Sequence, residues 1–92
     1  MISYITGDIL KYHISKNSYV DILTDGGVGY RVNIPASYTA LSKGERYSLF
    51  TYLHVREDTQ MLFGFQKEEE RKFFEKLISV SGIGPKTGLA IL

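Results

Sequence analysis

The sequence of 92 residues contains no cysteine, no tryptophan and only two prolines. Without cysteine, the chain has no disulfide, zinc ribbon, iron–sulfur cluster or thiol nucleophile, so a small core must hold without cross-links. No segment approaches the roughly 20 apolar residues of a membrane-spanning helix, and the first residues lack the basic start and apolar run of a signal peptide. We therefore expect a soluble, cytoplasmic protein with one small domain, or one and part of another.

The chain also lacks an excess of charge of one sign. It carries 11 Lys and Arg against 10 Asp and Glu, for a net charge of +1. Nucleic-acid-binding proteins usually have a basic excess, because each neutralised phosphate releases counterions and strengthens binding. Any interaction with DNA must therefore come from local motifs.

The first 65 residues have the composition and alternation of β-strands. Runs of β-branched and aromatic residues predict strands over residues 2–12, 19–23, 30–34, 47–55 and 60–65. Asp25-Gly26-Gly27 predicts a hairpin turn, Gly7 a bulge or bend, and residues 36–43 a connector with at most one helical turn. Five short strands predict a small closed barrel, because closure removes exposed sheet edges.

Residues 66–92 change to a helical period. Glutamates 68–70 suit the positive end of a helix dipole. An apolar stripe follows on one face of that helix: Phe73, Phe74, Leu77 and Ile78. This helix is expected to end near Ser81-Gly82, and Pro85 suits the first turn of a second helix. The sequence thus predicts a mainly β protein with C-terminal helices, divided into residues 1–65 and 66–92.

Candidate catalytic groups are scarce. His13 and His54 fall on predicted strands without a partner at ligand spacing, which favours partly exposed strand positions over metal or acid–base roles. The glycines of Gly26–Gly29 lie between two antiparallel strands and not before a helix, so a hairpin turn is favoured over a phosphate loop. The sequence has no G-x-S-x-G, Walker or Rossmann pattern. We expect no catalytic residue, metal site, cofactor or enzyme activity in the chain itself.

Two short motifs offer chemistry for binding. Glu57-Asp58, at the tip of the second hairpin, is either a solvated turn or a pair of fixed charges that repel phosphates. The glycines around Ile83 allow a tight turn between helices in which Ile83 points inward. Backbone N–H groups and Lys86 would then form a phosphate site that contacts the DNA backbone and not its sequence. An ordinary helical corner is the alternative, and Gly88 costs the second helix roughly 1 kcal/mol.

These motifs together resemble the RuvA family, the Holliday-junction-binding subunits of bacterial branch-migration complexes. The resemblance extends from Met1 to Leu92 and is carried by four blocks: G-V-G-Y at 27–30, V-R-E-D at 55–58, L-F-G-F at 62–65 and G-I-G-P-K at 82–86.

The resemblance implies a five-stranded OB-fold barrel over 1–65, followed by a helix and a truncated helix-hairpin-helix over 66–92. Glu57 and Asp58 would be the acidic pin at the junction centre. The phosphate contacts would come from the first helical hairpin and from the residue beside the pin: Gly82, Ile83, Gly84, Lys86 and Arg56. A homotetramer, or a pair of tetramers, would hold a four-way junction open without sequence specificity, with the RuvB motor supplying ATP hydrolysis and the RuvC nuclease as a further partner in recombination and repair.

The chain departs from the family in its length. Family members continue into a second helix-hairpin-helix and a mobile domain that recruits the motor, so we expect a fragment that stops inside a helix. Such a fragment would keep the barrel and the pin, lose motor binding and bind junctions weakly. Two other functions stay open, a generic single-strand-binding OB module and a protein-interaction domain. Both would use strand aromatics: Tyr4, Tyr12, Tyr19, Tyr30, Tyr47, Phe50, Tyr52, Phe63 and Phe65.

Overall fold

The structure is a computed structural model that describes residues 1–92. Its elements in chain order are β1 (Tyr4–His13), β2 (Tyr19–Leu23), β3 (Gly29–Asn33), β4 (Arg46–Val55), β5 (Gln60–Phe65), α1 (Glu68–Ile78) and α2 (Pro85–Ile91). The predicted order of elements is confirmed. Strands β2 and β5 have the predicted bounds, and the ends of the other strands differ by one or two residues.

The five strands form a closed barrel in the order β1-β2-β3-β5-β4. Strand β1 pairs antiparallel with both β2 and β4, so its ten residues span two sides of the barrel. The barrel closes through a short parallel contact at Asn33 and Phe63, where the Asn33 side chain donates a hydrogen bond to the Leu62 carbonyl at 3.1 Å. The predicted closed barrel followed by helices is confirmed.

Alternating apolar residues of the strands fill the barrel. Most of this first core cluster comes from the strands and the rest from the connectors: Ile5, Ile9, Val20, Ile22, Val32, Ile34, Tyr38, Leu41, Leu49 and Leu62. Gly64 lies on the wall of this core, where a Cβ atom would be 2.5 Å from Val32 Cγ1 and 2.9 Å from Leu49 Cδ1. The interior thus has room for hydrogen only at position 64.

One local prediction in the barrel was wrong, and the connector of residues 36–43 is present without the helical turn that it had room for. The bulge predicted at Gly7 lies between Ile9 and Lys11, where the register with β2 shifts. Gly7 is needed for a different reason, because a Cβ atom there would collide with the Leu23 carbonyl. The connector after β3 has no helical turn; its turn is closed by the Tyr38 N–H donating to the Pro35 carbonyl at 3.1 Å.

The two helices pack against β5 through a second core cluster of Phe63, Phe65, Phe74 and Leu89. The Phe74 ring centroid lies 5.1 Å from that of Phe63 and 5.0 Å from that of Phe65. Phe73, predicted in the same apolar stripe, is 47% exposed, because adjacent helical positions point about 100° apart and only one faces β5. Neither helix combines the length and apolar character needed to cross a membrane.

Candidate nucleic-acid interface

The β4–β5 hairpin presents two unpaired carboxylates at its tip. The strands pair as far as Val55 and Gln60, and the four-residue turn between them is closed by the Arg56 N–H donating to the Thr59 carbonyl at 2.8 Å. Glu57 and Asp58 occupy the two central positions of this turn, where both are exposed. Neither carboxylate forms an ion pair or a side-chain hydrogen bond, so two negative charges project from a closed turn.

Arg56 is the first residue of this turn, and His54 lies two residues before it, near the end of β4. The exposed Arg56 side chain donates a hydrogen bond from Nε to His54 Nε2 at 3.0 Å. The half-buried His54 ring packs edge-on against the buried Phe63 ring, with centroids 6.5 Å apart. The guanidinium of Arg56 is therefore linked through His54 to the core.

The turn between α1 and α2 is built from glycine and a helix-starting proline. Gly82 has a φ of +88°, a left-handed conformation that favours glycine. Its neighbour Ile83 is half-buried, and the Ile83 N–H donates to the Val80 carbonyl at 3.1 Å. Pro85 occupies the first turn of α2, and Lys86 is exposed directly after it. These positions agree with a tight helical hairpin.

Gly88 brings the two helices of that hairpin close together. It is buried, and a Cβ atom there would lie 3.0 Å from Ile78 Cγ2 and 3.4 Å from Phe74 Cε1. Glycine at this position weakens the helix by its own propensity but allows α2 to contact α1. The helical hairpin is thereby held against the second core cluster.

The turn end of the β4–β5 hairpin and the turn before α2 line one groove of about 260 Å³. Its walls are formed by residues of both elements: His54, Arg56, Thr59, Met61, Gly84, Pro85, Lys86 and Thr87. We call this the basic groove, because its charged side chains are Arg56 and Lys86.

The basic groove unites some of the predicted site residues and not others. Three of the predicted phosphate contacts line it, namely Arg56, Gly84 and Lys86. Gly82 and Ile83 belong to the same turn but are not in its lining, and Glu57 and Asp58 lie beyond it at the hairpin tip. The cations of Arg56 and Lys86 thus line the groove, and the carboxylates of Glu57 and Asp58 lie beside it, outside its lining.

Five lining residues were not among the predicted site residues: His54, Thr59, Met61, Pro85 and Thr87. His54 was interpreted as an ordinary strand position. One available signal is the period of two in a strand, which places the side chains of His54 and Arg56 on the same side of the hairpin. Thr87 carries no signal in the sequence, because its place depends on how α2 packs against β5.

A second cavity, of about 300 Å³, adjoins the basic groove and shares Met61 and Lys86 with it. Lys16, Asn17 and Ser18 from the β1–β2 connector line its opposite part. Lys86 therefore stands between two concave surfaces.

Tyr19 is a half-buried aromatic side chain on the outer barrel surface that already has partners, whereas Tyr4 and Tyr12 are more exposed. The Tyr19 ring stacks with His13 at a centroid distance of 5.7 Å, and the Arg31 guanidinium carbon lies 4.1 Å from the Tyr19 centroid. Asp21 fixes Arg31 through two hydrogen bonds of 2.9 and 3.0 Å. A base that stacked on Tyr19 would have to displace one of these neighbours.

Comparisons with known proteins agree with the motifs in this site. The family model described as "RuvA N terminal domain" matches residues 1–64. A Holliday junction branch migration complex subunit RuvA from Halothermothrix orenii is 47% identical over 92 residues, covering 100% of this chain and 45% of the relative. A subunit of the same name from Brevibacillus brevis is 49% identical over 80 residues, covering 82% of this chain and 39% of that protein. Another from Dehalococcoides mccartyi is 53% identical over 73 residues, covering 77% of this chain and 38% of that protein. The chain spans less than half the length of these relatives.

Proposed function

The chain belongs to the RuvA N-terminal domain family, and we propose that it binds four-way DNA junctions for branch migration in recombination and repair. The relatives are named as subunits of a Holliday junction branch migration complex. The single observation that carries the proposal is the separation of charge at the end of the β4–β5 hairpin, with free carboxylates at the tip and the basic groove beside it.

This charge separation suits a branched DNA better than a uniform duplex. A duplex binder gains affinity from cations along the phosphate backbone and loses it wherever a carboxylate approaches a phosphate. At a crossover, strands from different arms converge, and negative charges placed between them keep the strands apart. We assign Glu57 and Asp58 to the crossover and the basic groove to a duplex arm.

The arm contacts would be independent of sequence. Arg56 and Lys86 offer charged donors to phosphate oxygens, and Gly82, Ile83 and Gly84 offer backbone N–H groups in the turn beside them. Such contacts fix the position of a duplex but do not read its base edges. We propose that the chain has two functional segments: residues 1–65 carry the pin, and residues 66–92 carry the helical-hairpin contacts to DNA.

The proposed assembly follows from the geometry of a junction with four arms. One chain offers one pin and one groove, so four copies would serve four arms, as a tetramer or a pair of tetramers. We propose that the chain itself has no catalytic activity. In the whole protein, a RuvB motor would supply ATP hydrolysis and a RuvC nuclease would be the further partner.

A salt-controlled binding titration tests this proposal. The chain is titrated with a labelled four-way junction at fixed salt, in the presence of duplex or single-stranded competitors. Preference for the junction is expected. Preference for single strands would overturn the proposal in favour of a generic OB module.

Neutralising the pin tests its role directly. At about 7 Å in water, two unit charges interact by roughly 0.6 kcal/mol. Removing both carboxylates relieves about 1.2 kcal/mol of repulsion, so the double variant Glu57→Gln/Asp58→Asn should bind DNA about sevenfold more tightly. It should also lose part of its preference for the junction over duplex, because repulsion no longer distinguishes the crossover.

The double variant Glu45→Gln/Glu69→Gln is the matched control for the pin. It changes the net charge by the same amount at two exposed positions away from the pin, Glu45 just before β4 and Glu69 in the first turn of α1. Equal gains in the two double variants would mean that net charge, and not the pin, controls binding.

A further inference from the structure

We infer that His54 is a positioning residue that holds the Arg56 guanidinium toward the basic groove. The inference rests on the proposed function, because it concerns how Arg56 is presented to a DNA phosphate. No motif in the sequence assigns a role to His54, which lies two residues before Arg56 near the end of β4.

The geometry makes His54 a hydrogen-bond acceptor. Arg56 cannot accept a hydrogen bond, so the 3.0 Å contact between Arg56 Nε and His54 Nε2 requires an unprotonated Nε2, with the ring proton on Nδ1. The charged groups that line the groove beside His54 are Arg56 and Lys86, both cations. Protonation of His54 would therefore replace an acceptor by a third positive charge and break the contact.

The His54 ring is itself fixed by packing. Its centroid lies 6.5 Å from that of Phe63 and 6.2 Å from that of Tyr52. Phe63 is fully buried and packs on Phe74 of α1. Helix α2 packs closely on α1 at Gly88. The orientation of Arg56 is thus tied to the same core that positions Lys86.

The choice of nitrogen matters for phosphate binding. His54 uses the Nε–H of Arg56 and leaves the two terminal amino groups free to donate in parallel to phosphate oxygens. A free arginine side chain samples many rotamers, and holding it in one orientation before binding reduces the entropy lost on contact. His54 contributes to DNA affinity through Arg56 and not by touching the phosphate.

The test compares two substitutions of His54. His54→Phe keeps an aromatic ring against Phe63 and Tyr52 but removes the acceptor, whereas His54→Gln restores an acceptor without the ring. We expect junction binding to weaken about fivefold in His54→Phe and to stay within about twofold of the original in His54→Gln. Thermal unfolding of each variant confirms that the fold is retained.

A double-mutant cycle separates positioning from direct contact. The effect of His54→Phe is measured again in an Arg56→Ala background, at a salt concentration low enough for that variant to bind. If His54 acts through Arg56, His54→Phe has no further effect there. Unchanged binding in the single variant, or an equal loss in both backgrounds, would overturn the inference.

A second readout needs no DNA. In the free protein the Arg56 Nε–H resonance should be protected from solvent exchange, and that protection should be lost in His54→Phe. If the resonance behaves in this way but the chain does not prefer junctions, the proposed function fails and the positioning contact stands. If the chain prefers junctions but the resonance is indifferent to His54, the inference alone fails.

Discussion

Tyr38 joins the barrel to α1 through its side-chain hydroxyl. The residue lies in the connector between β3 and β4 and is 8% exposed. Its hydroxyl donates to Glu70 Oε1 at 2.8 Å and accepts the backbone N–H of Gln66 at 3.0 Å. Gln66 and Glu70 flank and begin α1, so one oxygen fixes the start of that helix.

The substitution Tyr38→Phe keeps the ring in the core and removes only these two hydrogen bonds. The Gln66 N–H is left without its partner in a partly buried position, which costs about 1–3 kcal/mol, while the Glu70 carboxylate can turn to water. We therefore expect the free energy of unfolding to fall by about 2 kcal/mol. For a domain of this length, that loss lowers the melting temperature by about 10 °C.

Tyr47→Phe provides a control with the same chemical change. The Tyr47 hydroxyl accepts a hydrogen bond from the side chain of Gln66, at an exposed position where water can replace it. Its removal should change the free energy of unfolding by less than about 0.5 kcal/mol. Thermal unfolding followed by circular dichroism measures both variants. Equal shifts, or a shift below about 2 °C for Tyr38→Phe, would refute the account of Tyr38 as the joint between barrel and helix.

Two further predictions concern the packing around Gly64 and the pKa values of Tyr38 and the half-buried Tyr47. In a urea titration, Gly64→Ala should lower the free energy of unfolding by about 1–3 kcal/mol, because the added Cβ would press on Val32 and Leu49. Gly26→Ala is the control and should be tolerated, because the space around Gly26 is open. Equal effects of the two substitutions would contradict the packing described at position 64. Burial raises the pKa of both Tyr38 and Tyr47, so above about pH 10 the unfolded chain releases protons that the folded chain keeps. The urea midpoint should therefore be steady below pH 9 and fall above pH 10, with a smaller fall in Tyr38→Phe; identical falls would exclude Tyr38 as a source.

The barrel could be predicted from the sequence because its signals are local. Alternation over Tyr19–Leu23 and the glycines that follow define a strand and a turn within a few residues. The closing contact between Asn33 and Phe63 has no such signal, since it joins residues 30 positions apart. The exposure of Phe73 beside the buried Phe74 likewise depends on which face of α1 meets β5, a fact of tertiary packing.

Some parts of the candidate site could likewise be predicted from local sequence, and others could not. The carboxylates at the hairpin tip follow from adjacent residues between two strands, and the turn before α2 follows from its glycines. The basic groove could not be predicted from spacing alone, because Arg56 and Lys86 are 30 residues apart and meet only through the packing of α2. The place of His54 in the groove also depends on tertiary packing, because its ring contacts the core ring of Phe63.

The near-zero net charge of the chain is compatible with DNA binding because the charges are separated in space. Phe63 in β5 contacts Phe74 in α1, and Phe74 lies beside Gly88 in α2. The hairpin that carries the acidic tip and the helix that carries Lys86 are therefore packed on one core and hold a constant relation to each other. A carboxylate on a mobile loop would reduce binding to every DNA, because it could approach any phosphate. If the basic groove holds a duplex arm, as we propose, a carboxylate on this hairpin would oppose only a phosphate that reaches the tip. Such opposition would act on the geometry of the bound DNA and not on its overall charge.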